Sequence, residues 1–493
     1  MMNTAGSLAR RWTGWARAFC VLLLLAAPIA QAQNNGAVGP VVPSPAPNHE
    51  PPRGGGGLWR LVPSLRIDLN RLLAPTANEP RHEPGQLLVL WPDADIARDG
   101  LAWMALTERL QPSEQHTLEA LGGVLALYQL PDTAQALRLR ERIRTAQPLW
   151  VVDLNARATP QQAGAAVPIT PLGAATAPTA PAPPTPTARL YAHAMLGLPP
   201  NDPIQPTAST ALRIGVIDAG LDPNWLSPQG AARWNGSRVQ QRSLLAANDT
   251  PAAPTHGQQV AMLLAGATLP NGFAGAAPAV DLHWVGVMRR SGESTHTNSQ
   301  RLALAMEGLA KEGVQLVNLS AGGDGDDILK MAVDKLLAKG IALVASAGNQ
   351  PNRRPVYPAA YAGVWAITAV DAQGQAYADA SLGAHVSFAA PGVDVWVSDG
   401  GLAADQTVAP IGRYVSGTSF ATALASGALA RLPASFWRLD PAARRARLCA
   451  AARPGAGSAS ITTSATTSAT TSASLGCGLL RVAATLLAQD QRR

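Results

Sequence analysis

At 493 residues, 47% hydrophobic and only 14% charged, with 45 Gly and 41 Pro, the chain joins a sizeable buried core to Pro- and Ala-rich stretches that cannot pack one. Its net charge of +7 comes from Arg, with Lys nearly absent. The Arg residues lie scattered in pairs rather than in one stripe, which excludes recognition of nucleic acid or an anionic membrane by a basic face and leaves a solvated surface.

The chain begins with Arg10, Arg11 and Arg17, an apolar run over 19–30, and Ala30-Gln31-Ala32. A positive start, a short apolar centre and an A-x-A site predict a secretory signal peptide over 1–32, so the expected location is secreted or periplasmic. The run is too short to span a bilayer, and no later stretch is apolar enough to do so. Cys20 leaves with the signal. Cys449 and Cys477 remain as an even pair in an oxidising compartment, and a bond between them is expected.

Residues 33–84, with the glycine run 54–57, read as a linker. Over 85–156 the pattern predicts a strand at 87–91, a helix at 105–121, a strand at 124–130, a helix at 134–146 and a strand at 150–154, a small α+β domain. Residues 157–189 are Ala/Pro/Thr-rich and read as a second linker. The main domain follows over 190–493. Its apolar runs at 212–217, 282–287, 316–319, 341–345, 364–370 and 386–389 predict strands, and 299–311 and 327–339 predict helices between them. Near-continuous apolar strands alternating with helices imply an α/β fold, a largely parallel sheet covered by helices on both faces. The repeat over 461–474 is a low-complexity insertion.

Three segments put a polar residue where chemistry is done in such folds. Asp218 ends the apolar strand Arg213-Ile-Gly-Val-Ile-Asp218, at the edge where parallel sheets bind ligands. His256-Gly257 opens a helix of small apolar residues. Ser419 follows Gly417-Thr418 at a helix start, where free N–H groups and the helix dipole favour a developing negative charge. Each alone has a structural explanation, such as capping by Thr418 or Ser419. Together, Asp, His and Ser in that order match the order of the triad in subtilisin.

Here the chain resembles the subtilase family of serine peptidases. The resemblance rests on Val216-Ile-Asp218-Ala-Gly220, His256-Gly257 through Val260-Ala261, Val317-Asn318-Leu-Ser320-Ala-Gly322-Gly323, Ala345-Ser-Ala-Gly348-Asn349 and Gly417-Thr418-Ser419-Phe-Ala421. It implies a subtilisin-like fold and peptide hydrolysis by Ser419, His256 and Asp218, with Asn349 in the oxyanion hole. Ser320, Ala321, Gly322 and Gly323 would border the substrate, and Val356 would shorten the specificity pocket towards Ala, Val or Leu. It also implies that 85–156 is a pro-domain, a partner in cis. The expected enzyme is a monomer acting on protein or peptide substrates, without nucleic acid and without a membrane partner once the signal is removed. Ala219 stands where the family has Thr or Ser, and Ala423 where it has Pro. The loop 269–274 is short and carries no carboxylate, so no metal, calcium included, and no cofactor is expected. The alternative is a catalytically weak or inactive subtilase-fold binding protein, which covalent labelling of Ser419 separates from an enzyme.

Overall fold

The computed structural model describes residues 80–161, 191–198, 212–227, 230, 233–234, 236–269, 273–277, 279–350, 355–399, 412–454 and 475–482. The signal segment, most of both linkers and the insertion 461–474 lie outside the described residues. Among those described, no helix is long and apolar enough to cross a membrane.

The first region runs β1 (His82–Trp91), α1 (Ala94–Trp103), β2 (Glu114–Thr117), β3 (Val124–Gln129), α2 (Thr133–Ala146) and β4 (Val151–Pro160). The peptidase-like region runs α3 (Tyr191–Leu196), β5 (Arg213–Asp218), β6 (Arg238–Ser243), β7 (Thr250–Pro251), α4 (Thr255–Ala265), β8 (Asp281–Gly286), β9 (Arg289–Ser291), β10 (Ser294–Asn298) and α5 (Ser299–Lys311). It continues with β11 (Leu316–Leu319), β12 (Ala321–Gly323), α6 (Asp327–Ala338), β13 (Ala342–Ser346), β14 (Trp365–Val370), β15 (Val386–Pro391), β16 (Val395–Ser398), β17 (Gly412–Val415), α7 (Thr418–Leu429), α8 (Ala434–Trp437) and α9 (Pro441–Ala451).

Seven strands form a parallel sheet in the order β15-β14-β13-β11-β5-β8-β6. Alternate side chains enter opposite cores, as a period of two requires. Ile214, Val216, Val344 and Ile367 pack with α4 and α7. Ile217, Val317, Leu343 and Ala345 pack with α5 and α6. The strand β6 escapes an apolar-run search because it is the sheet edge, with sequence Arg-Val-Gln-Gln-Arg-Ser and only partial burial.

The first region differs from expectation at two places. A helix at 105–121 does not form. The helix α1 lies earlier, capped by the Asp93 side chain on Ile96 N–H, and a π-turn at Met104–Glu108 ends at Arg109 in the left-handed region, φ 56°. The Gln, Pro and Ser residues that follow then lead into β2. The second difference is length: β4 continues to Pro160, into what reads as linker.

Strands β2-β3-β1-β4 begin an eight-stranded sheet in which β2 is an exposed edge and β3, β1 and β4 bury side chains on both faces. Leu87, Val89, Trp91, Ala126 and Tyr128 pack with α1 and α2. Leu88, Leu90, Leu125 and Leu127 pack onto Ala303, Met306, Ile328 and Leu329 of α5 and α6. Polar contacts fix this docking. Glu307 on α5 accepts from the N–H groups of Ala120 and Leu121 at 2.8 and 2.7 Å. At the N-termini of α5 and α6, Asn155 accepts from Gln300 N–H (3.1 Å) and Asp153 from Asp327 N–H (3.1 Å).

Candidate active site

The end of β5 places Asp218 in full burial, where Oδ1 accepts from Ala219 N–H and from His256 Nδ1, each at 2.7 Å. That second bond fixes the imidazole with Nδ1–H towards the carboxylate and leaves Nε2 free to act as a base. Gly257 makes the approach possible. A Cβ there would lie 2.6 Å from the Ala219 carbonyl oxygen, so any larger residue would push α4 off the end of β5. Ala219 brings no hydroxyl to the carboxylate, and Asp218 Oδ2 has no partner among the described residues. His256 Nε2 is likewise unpartnered there.

Ser419 is the second residue of α7, after Gly417 at its N-cap. Its helix carries Phe420 with the ring centroid 5.8 Å from that of His256. The Ser419 hydroxyl donates to the Ser320 carbonyl at 3.0 Å and makes no hydrogen bond to His256. Behind it, Ser426 donates to Asn318 (3.0 Å), Asn318 to Ser320 Oγ (3.2 Å), and Ser320 Oγ to the Ser419 carbonyl (3.3 Å). This chain ties α7 to β11. The Asn349 side chain is held through its oxygen: Oδ1 accepts from Thr418 N–H at 3.0 Å and Thr418 Oγ1 at 2.9 Å. Its buried Nδ2 has no partner among the described residues.

Between these groups lies the end of β4. Its residues Ala158, Thr159 and Pro160 pair antiparallel with Gly323, Gly322 and Ala321 of β12. On the other edge Arg157 and Ala158 pair with Asn298 and Thr297 of β10. The next residue, Gln161, donates its N–H to the Ser320 carbonyl (3.1 Å), and its carbonyl accepts the N–H of Ser419 (2.9 Å). Gln161 is a residue that sequence reasoning passes over. Pro160 argues against a strand, and the only signal is that small alternating side chains persist through Ala156 and Ala158.

A second cluster sits at the same junction. Glu83 of β1 is buried and takes hydrogen bonds from Arg157 (2.7 Å) and Arg289 (2.8 Å), with His296 Nε2 at 3.3 Å. Burial raises the carboxyl's pKa, but bonds from His296 and Arg157, with the charges of Arg157 and Arg289, outweigh it and bring it to about 2. Cys449 on α9 and Cys477 are joined by a disulfide, with Cα atoms 5.1 Å apart.

A buried carboxylate orienting an imidazole, near a serine at a helix N-terminus on a parallel sheet, is equipment for nucleophilic acyl transfer. Residues 209–478 match the model of the subtilase family. The chain is 33% identical over 204 residues to subtilisin DY of Bacillus licheniformis, covering 40% of this chain and 70% of that protein. It is 34% identical over 178 residues to a thermostable alkaline protease of Halalkalibacterium halodurans, covering 36% of this chain and 46% of the relative. With alkaline elastase YaB of a Bacillus strain it shares 30% over 230 residues, covering 45% and 54%. The chain thus spans about half the length of the latter two. Fervidolysin from Fervidobacterium pennivorans, a keratinolytic enzyme related to subtilisin, shares the fold, with a TM-score of 0.59 at 19% identity over 81% of this chain and 60% of that one. The chain belongs to the subtilase family, and so to the serine-type endopeptidases.

Proposed function

We propose that the protein is an exported serine endopeptidase in which Ser419 is the nucleophile, His256 the general base and Asp218 the group that orients it. Ser419 Oγ attacks the scissile carbonyl, and His256 takes its proton and returns it to the leaving amine. The N–H of Ser419 and Nδ2 of Asn349 stabilise the oxyanion; loss of such an Asn costs about 10²–10³ in kcat, a magnitude taken from subtilisin rather than from this chain. Residues 320–323 hold the substrate as an added strand. One observation carries this reading: an extended backbone is paired with β12, and its carbonyl accepts the N–H of Ser419 at 2.9 Å.

That backbone belongs to the chain itself, which supports a zymogen. The region 85–156, extended through Gln161, acts as a pro-domain in cis that fills the cleft until cut, after export by segment 1–32. The alternative of a catalytically inactive binding protein draws on the Ser419 hydroxyl, which is bonded to Ser320 and not to His256. Rotation about the Cα–Cβ bond of Ser419 frees it. A fluorophosphonate probe decides between the two. The processed protein should be labelled at Ser419, and Ser419→Ala should lose both label and casein digestion. Full casein digestion by Ser419→Ala would refute the assignment.

A further inference from the structure

The residue in the cleft uses every polar atom of its side chain. Gln161 is 4% exposed. Its Oε1 accepts from Asn349 N–H at 3.1 Å, and its Nε2 donates to the carbonyls of Gly322 (3.2 Å) and Thr159 (2.9 Å). Asn349 N–H can only donate and the Gly322 carbonyl can only accept, so these partners fix which end of the amide is oxygen. Two walls of the cleft, 320–323 and 345–349, therefore meet the side chain with one backbone donor and one backbone acceptor. Val356 limits the space beside them. A Cβ on Gly322 would lie 2.9 Å from its Cγ2, and one on Gly348 3.0 Å from the same atom.

Glutamine answers both walls. Leucine would leave the Asn349 N–H and the Gly322 carbonyl without these bonds. Glutamate would set a second acceptor against the Gly322 carbonyl. Phenylalanine has no group that could accept from the Asn349 N–H or donate to the Gly322 carbonyl. A site built to hydrogen-bond a substrate group rejects an analogue lacking it far more strongly than it rejects a missing methylene. This pattern of partners differs from the preference for Ala, Val or Leu expected from Val356, and the peptide series below decides between them. The deciding polar atoms belong to the backbone, where residue identity does not display them.

We infer that this pocket selects glutamine at the residue before the scissile bond, and that the bond on the carboxyl side of Gln161 is the one the chain cuts in itself; the inference rests on the endopeptidase reading above. Ser419 Oγ bonds to the Gln161 carbonyl carbon, its proton passing to His256. The C–N bond breaks and the departing amine takes that proton. Water then hydrolyses the ester, which returns the Ser419 hydroxyl and leaves Gln161 as a carboxylate.

The test begins with the full chain, expressed with its signal and analysed by intact mass and N-terminal sequencing. A mature chain beginning at Gln162 is expected, and a cut at any other bond overturns the inference. The processed enzyme is then given acetyl-Arg-Ala-Thr-Pro-Gln linked to a fluorogenic amine, and the same peptide ending in Glu, Leu or Phe. The Gln peptide should exceed each of the others at least about tenfold in kcat/KM; a smaller ratio for any of them overturns the inference. In the full chain, Gln161→Glu should slow self-cleavage by a similar factor. Fluorophosphonate labelling of the same preparation separates the two levels. Label on Ser419 without a glutamine preference sinks this inference alone, whereas absence of both label and cleavage sinks the endopeptidase reading with it.

Discussion

The seven-stranded sheet and the seam against residues 80–161 are held together by different forces. Apart from its edge β6, the seven-stranded sheet faces an apolar core on each side, and β8, β14 and β15 are buried along their whole length. The junction between residues 80–161 and the peptidase-like region mixes a leucine face with charge. Glu83 meets Arg157 and Arg289, Glu307 takes two backbone N–H groups, and Asp153 and Arg144 meet the start of α6. A dry core is costly to open anywhere, whereas paired charges and capped helix ends regain water when a seam parts. The difference suits one body that stays folded and a second that, as a proposed pro-domain, leaves it.

Leu343→Ala should have the largest effect. The side chain is fully buried in β13, and the lost burial plus the cavity should cost about 3–5 kcal/mol. The Ser419→Ala full chain and the mature enzyme should lose similar stability in urea melts. Glu83→Ala should behave differently. It strands Arg157 and Arg289, which are partly exposed, so the loss should be near the lower end of the range for a broken buried pair, about 2–4 kcal/mol. Limited proteolysis should find residues 80–161 sensitised while the peptidase body keeps its own melting point. Equal losses in both parts would erase the distinction between core and seam.

That distinction also separates what the sequence reveals from what it conceals. Near-continuous apolar runs mark buried parallel strands, so β11 and β13 are legible, and the motifs around Asp218, His256, Asn349 and Ser419 stand at strand ends and helix starts. β6 is hidden because an edge strand needs no apolar run. The helix expected at 105–121 fails because apolar spacing there serves two purposes: Leu118 and Leu121 pack on the peptidase side, and Leu110 packs against the core of the first region. Gln161 is hidden for a third reason. Its place is set by bonds to backbone carbonyls some 160 residues away, from its N–H to Ser320 and from its Nε2 to Gly322, and contacts of that kind leave no local periodicity.

The disulfide offers a control on the far side of the comparison. Cys449 and Cys477 are 28 residues apart, and Cys477 N–H donates to Ser387 on β15. Replacing both by Ser should cost the peptidase body roughly 2–4 kcal/mol by freeing the unfolded chain. Release of residues 80–161 should not change, as judged by the proteolysis rate at the seam. An accelerated release would mean that the two regions are coupled through the body.

The smallest effect is expected at Asp326, where seam and body meet. Its carboxylate caps α6 by accepting from Leu329 N–H at 2.8 Å and takes the hydroxyl of Ser299. Burial, with a lesser contribution from the charge of Asp153 on β4, raises its pKa from 3.8 to about 7. The sign follows from proton counting. Between about pH 4 and 7 the folded chain holds a proton here that the unfolded chain has released, so stability falls as pH rises through that window. Glu83 works in the opposite sense and lower, between about pH 2 and 4.5, so above that range the Asp326 dependence stands without it. Arg140 and Arg144 pair with Asp153 and temper its charge, while Asp327 adds to the negative field at the helix start. Above pH 7 two carboxylates from opposite sides of the seam face each other. The seam should therefore be weaker at pH 8 than at pH 5, beyond any change in the mature body. Asp326→Asn should remove that part of the dependence, since an amide caps the helix without ionising. Melts of Ser419→Ala chains with and without Asp326→Asn at both pH values measure it. Parallel pH profiles for the two chains would show that Asp326 does not titrate in this window.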